Sequence, residues 1–166
     1  MERENIAEKF DHLATVIELP KFLKMEALGG EIPFFISTYN PIQSIEIGKA
    51  IAGLKNKLEK KGVIVLEINI YSICMKILNE ELGEGEIFEI ERDMEKDELK
   101  NALQSILDIP EVIMPYIKNE IASSEAQVYF LTGIGNVYPF IRSHNILNNL
   151  QTVSYTHLTL PTIYSV

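Results

Sequence analysis

Thr132, Gly133, Gly135 and Asn136 stand just ahead of Arg142 and His144 in the stretch QVYFLTGIGNVYPFIRSHNILNNLQ, Gln127 to Gln151. Glycines that close a strand and open a helix let backbone approach a ligand closely, and a helix N-terminus favours anions. An arginine nearby adds a charge-assisted contact to phosphate or carboxylate. The pattern stops short of the established phosphate motifs. The third glycine of a dinucleotide fingerprint would fall at Tyr138, and Gly-Lys-Ser/Thr occurs nowhere in the chain. The turn reads first as structural, packing strand against helix. The alternative is a degenerate nucleotide or nucleic-acid site built on Gly133, Gly135 and Arg142.

Continued at a helical period from Pro139, the stretch places Phe140, Ile146, Leu147 and Leu150 on one side and Tyr138, Arg142, Asn145 and Asn149 on the other. That second stripe holds amides, a phenol and one guanidinium, without the Lys and Glu that solvated faces normally carry. A recognition surface and a plain solvated surface both fit it. His144 has no cysteine, second histidine or carboxylate at ligand spacing and reads as a hydrogen-bonded structural residue. Cys74, between Ile73 and Met75, reads as core. The carboxylates from Glu80 to Glu98 lack the alternating Asp/Asn pattern of a calcium loop and read as a solvated acidic loop with flanking helix ends. No metal site, cofactor or catalytic constellation is expected.

The elements that must carry these residues follow from periodicity. Ile6, Phe10, Leu13 and Ile17 mark an amphipathic helix that stops at Leu19-Pro20, and KFLKMEAL leads to a stop at Gly29-Gly30. IPFFISTY (Ile32–Tyr39) is an apolar run of strand length suited to a strand covered on both faces. Asn40, Pro41 and Gln43 look like a capped helix start, followed by a face of Ile47, Ile51, Leu54 and Leu58 up to Lys60-Lys61-Gly62. VIVLEINIYSI (Val63–Ile73) is a second strand, so strand, helix and strand form a right-handed βαβ unit. Asp97 could cap a helix with Leu99, Leu103, Ile106 and Leu107 inside, and another runs from about Glu111 to Ala122. The third strand, Gln127 to Leu131, enters the glycine turn. The expected class is α/β: a mostly parallel sheet of three visible strands flanked by helices, with a helical insertion between the second and third.

Length and composition agree with one domain. The chain has 166 residues, 46% of them hydrophobic, enough for a sizeable core. One cysteine rules out an internal disulfide framework. No apolar run reaches membrane-spanning length, and MERENIAEKF is too charged for a secretory signal, which reads as cytoplasmic. A net charge of −9 argues against a broad nucleic-acid footprint and suits a soluble domain or a basic partner.

The last residues break the pattern. VSYTHLTLPTIYSV (Val153–Val166) holds no charged residue and no helical or strand period. VSYTHLTLPT resembles the translation of a sequencing-library transposon adapter, and Ile163–Val166 a sample index running into the adapter's constant end. Thr152 fits the same frame. The expected domain is 1–152, truncated at its C-terminus, with 153–166 a non-native tail and the third strand left with an unpaired edge.

Three segments, PFFISTYNP, VIVLEINIYSI and above all VYFLTGIGNVYPFIRSHNILNNLQ, resemble the BrxB family of bacterial BREX phage-defence systems, from about Leu13 to Gln151. In that family a further strand with an aromatic-Pro-Gly turn follows, and this sequence lacks it. The resemblance implies a component encoded with an ATPase, a DNA methyltransferase and the alkaline-phosphatase-like protein PglZ. It implies association with PglZ and other BREX proteins rather than catalysis. Thr132, Gly133, Gly135, Pro139, Phe140, Arg142, Ser143, His144, Asn145, Asn148 and Asn149 match the family signature, which carries no catalytic assignment. An adaptor role and a nucleotide- or nucleic-acid-binding role are therefore the two functions to compare.

Overall fold

Ile6, Phe10, Leu13 and Ile17 form the inner stripe of helix α1 (Ile6–Ile17) in a computed structural model that describes residues 4–23, 34–157 and 162–165. Asn5 caps the helix, its side chain accepting from the Glu8 amide at 3.3 Å. A short helix, α2 (Pro20–Leu23), follows, while the expected stop at Gly29-Gly30 lies outside the described residues. Strand β1 is Phe34–Ser37. Asn40 accepts from the Ile42 amide at 3.1 Å and starts one 3-10 turn, Pro41–Gln43, before α3 (Ser44–Glu59).

Gln43 does not close the capping box expected of it. It is buried, and its amide binds the backbone of Glu4 instead, accepting from Glu4 N at 3.0 Å and donating to Glu4 O at 3.1 Å. The N-terminal segment is thereby fastened to the turn that opens α3, a contact that local spacing cannot reveal.

Strand β2 ends earlier than the apolar run suggests, at Val65–Asn69, and Ile70 to Ile73 open helix α4 (Ile70–Leu82). The correction has a local cause: the Asn69 side chain accepts from the Ser72 amide at 3.0 Å and starts the helix. A continuous apolar run does not by itself distinguish strand from buried helix. The acidic stretch is likewise helix rather than loop: α5 (Glu86–Asp93) leans on the core through the half-buried Ile87 and Ile90. Helix α6 (Lys96–Ile106) begins at Glu95, so Asp97 lies inside its first turn and is not the cap; its charge still suits the helix dipole there. A π-turn, Ile109–Ile113, leads into α7 (Met114–Ala122). Strand β3 (Val128–Thr132), a 3-10 turn at Ile134–Val137, helix α8 (Ser143–His157) and strand β4 (Thr162–Ser165) complete the chain.

The sheet order is β1-β4-β3-β2, with every described pair parallel, as expected of an α/β fold. Strand–helix–strand from β1 to β2 is parallel as predicted, but the two strands are opposite edges rather than neighbours. The count of three strands gives way to four. Thr162–Ser165, within the segment read as foreign, enters the gap between β1 and β3, so the edge of β3 expected to be bare is paired. A strand between two others pairs its N–H and C=O groups on both sides, and β4 does so with β1 and β3.

Helices cover both faces. Ile17, Ile47, Ile51, Leu54 and Leu58 pack with Val65, Val128 and Phe130 on one. On the other, Ile73, Ile77, Leu103, Ile117, Ile146 and Leu150 pack with Ile68, Tyr129 and Leu131. All five residues of β3 are buried, as a doubly covered central strand requires.

Cys74 lies in α4 and is 2% exposed, the core position expected. Burial pushes its thiol up to about 12. The thiol therefore stays protonated in the folded chain, and the stability this gives, full below the thiol's ordinary pKa, falls away as pH rises through about 12. Native protein at pH 8 should react with a disulfide reagent such as dithionitrobenzoate only as fast as it unfolds. Immediate labelling would contradict this burial.

Candidate functional site

Thr132 ends β3 with its side chain buried, and its hydroxyl donates to the Glu67 carboxylate at 2.8 Å across the β2–β3 pair. It is therefore held within the sheet. Gly133 follows with φ +73°, a left-handed conformation that turns the chain out of the strand. A Cβ there would stand 2.5 Å from Asn69 Oδ1, the atom that starts α4. The Gly133 half of the turn is structural, as first read.

Gly135 differs: a Cβ would meet nothing within 4 Å, and its backbone is not left-handed. It and Asn136 are exposed on the 3-10 turn, whose Ile134 and Val137 are buried against the α4 side of the core.

Helix α8 starts later than the periodicity predicts. Tyr138 is in extended conformation, the Tyr138–Pro139 peptide is cis, and Phe140 and Ile141 both donate to the Val137 carbonyl, at 2.9 and 3.1 Å. Arg142 then accepts from the Asn145 amide at 3.0 Å, which sets it at the start of α8. Tyr138 and Arg142 therefore precede the helix, and the four-residue stripe does not exist as one line. The bulky Ile141, 1% exposed, takes the inward position and re-aims its neighbours. Gln104 on α6 fixes the bend by donating to the Phe140 carbonyl at 3.2 Å.

This bend makes a cleft of about 400 Å³. Ile134 and Ile141 form its floor, while Gly135, Tyr138, Arg142, Ser143 and His144 form its walls and rim. Tyr138 is 67% exposed, and Arg142 and His144 are exposed beside it. His144, read from the sequence as a hydrogen-bonded structural residue, stands exposed at the rim. Asn145 and Asn149 line a separate depression with Gln104 and Asp108. There the Asn149 amide is spent on the Asn145 carbonyl, at 2.8 Å along its own helix.

The structure brings together Gly135, Tyr138, Arg142 and His144, and it separates them from Asn145 and Asn149. Arginine, a hydroxyl and the first amides of α8 favour a carboxylate or phosphate group, and the exposed phenol ring offers flat apolar area beside them. Among the described residues no group of three or more His, Cys, Asp or Glu side chains comes together to hold a metal.

The cleft is not where sheet topology favours a ligand. The chain leaves β1 toward the α3 face and leaves β3 toward the α8 face, so the crevice between diverging connections lies beyond the carboxyl end of β4. The glycine turn is displaced from it by one strand. That weakens a nucleotide-site reading and leaves the rim side chains as the chemistry on offer. Sequence spacing missed Glu67 and Gln104, whose partners Thr132 and Phe140 are far along the chain.

A model of the family described as BREX protein BrxB matches residues 66–163, from within β2 to within β4 and across the whole cleft. The chain belongs to that family. It is 29% identical over 150 residues to a BREX protein BrxB of Bacillus cereus (strain H3081.97), covering 88% of this chain and 77% of the relative. A second BREX protein BrxB, from Escherichia coli O9:H4 (strain HS), is 26% identical over 145 residues, covering 87% of this chain and 72% of the relative. No solved structure matches. Family membership agrees with the signature carried by Thr132 to Asn149, whose two halves the structure explains differently: a structural turn, then an exposed rim.

Proposed function

We propose that this chain is a non-catalytic adaptor of a BREX phage-resistance system, working in the cytoplasm by holding a PglZ-like protein and other BREX components. The observation that carries the reading is the pairing of Tyr138 and Arg142 on a fixed bend inside the family-matched region. Tyrosine and arginine are among the side chains that most often anchor protein interfaces, and here both are exposed on backbone held by buried Ile141 and Val137. No described helix is long and apolar enough to cross a membrane, which suits this setting. The same reading takes 1–152 as the native domain and 153–166 as a non-native tail that fills the sheet by main-chain pairing.

The test is co-purification of the tagged chain with the PglZ-like protein and other components of its own system. Wild type should retain at least one of them, and the double variant Tyr138→Ala/Arg142→Ala should weaken that association by about tenfold or more. If no component is retained, the adaptor reading fails. Arg142, Ser143 and His144 at the start of α8 favour a second reading, a degenerate phosphate site. Calorimetry with ATP, GTP and a short oligonucleotide distinguishes it: heat of binding lost in Arg142→Ala would support it, and silence with all three would end it.

A further inference from the structure

Ten of the chain's 24 carboxylates but only two of its 15 cations lie between Glu80 and Glu98. That segment carries −8 of the whole chain's −9, so the remainder is close to neutral. In the fold it is the end of α4, all of α5 and the first turn of α6, with every one of its carboxylate residues exposed.

Within it, α5 buries no residue fully, and Ile87 and Ile90 turn toward the core. Phe88 does not. It is 63% exposed, with Glu91 and Arg92 one helical turn further along α5 and Glu84 just ahead of the helix. Arg92 is hydrogen-bonded to Glu89, which leaves the surroundings of the ring acidic. The core does not need this phenylalanine, and a solvated acidic helix does not need it either. An exposed aromatic ringed by charge of one sign has the make-up of an interface anchor with a steering rim.

We propose that α5 is a docking helix whose Phe88 enters an apolar pocket on a partner protein rimmed by Lys and Arg. The charge decides the occupant. A second copy would set −8 against −8, and nucleic acid would be repelled, whereas a basic protein surface would be drawn to this one face of an otherwise neutral molecule. This inference rests on the adaptor reading and adds to it a second surface, separate from the Tyr138–Arg142 cleft.

The test uses the full chain immobilised against each of the other BREX components of its system, purified singly, at low and moderate salt. One component should bind, with Phe88→Ala weakening it by about tenfold or more and Phe88→Leu by less. The triple variant Glu84→Lys/Glu89→Lys/Glu91→Lys should slow association steeply at low salt and little at moderate salt. Because these residues are exposed, circular dichroism should show all variants as folded as wild type. Binding that persists unchanged in Phe88→Ala and in the triple variant overturns the proposal while leaving the adaptor reading intact. If no component binds wild type, the adaptor reading fails and takes this one with it.

Discussion

Gly133→Ala is expected to lower the stability of the folded chain by about 2–3 kcal/mol in urea denaturation, the sum of a left-handed backbone penalty and a lost helix cap. The first contribution follows from φ +73°, where an L-residue costs about 1–2 kcal/mol. The second follows from contact. A Cβ at this position would lie 2.5 Å from Asn69 Oδ1, so the Asn69 side chain must swing away. That oxygen accepts from the Ser72 amide at 3.0 Å, and a displaced cap costs about 1 kcal/mol. Against a typical stability of about 5–15 kcal/mol the loss is large. Gly135→Ala is the control, and should change stability by no more than about 0.5 kcal/mol, because nothing lies within 4 Å and its φ is ordinary. Asn69→Ala in combination with Gly133→Ala should be less than additive, since both remove the same cap. Equal effects of the two glycine substitutions would contradict the division of this turn into a structural half and an open half.

The glycine turn also shows where sequence was sufficient. Its position after a strand, the parallel α/β class and the burial of Cys74 all follow from local patterns: apolar runs, glycine spacing, apolar neighbours. The family resemblance followed from the signature between Thr132 and Asn149. What could not be read depends on partners far along the chain. Gln43 has the spacing of a capping box, yet Glu4 outcompetes the local amide for it. Asn69 ends β2 four residues early in a run that stays apolar on both sides of the change. Arg142 and Tyr138 left the helix because Ile141 takes the inward position and Gln104 holds the bend, neither of which has a period. The tyrosine and arginine singled out for recognition do meet at one cleft, while Asn145 and Asn149, assigned by the same periodicity, belong to another.

Ile163→Pro is expected to cost about 3 kcal/mol or more, because proline in an interior strand removes a ladder donor and clashes with its neighbours. Ile163 sits at the middle of the parallel pairs that β4 makes with both β1 and β3, opposite Phe35 and Phe130. Losing β4 separates β1 from β3, since no described pairing joins those two directly. The main-chain amides of β1 and β3 that face β4 should then lose protection in hydrogen exchange, while those joining β3 to β2 keep it. Unchanged exchange in Ile163→Pro would show that the tail does not occupy the gap. Loss of protection confined to the β4-facing amides would show that β4 is the strand that joins β1 to the rest of the sheet.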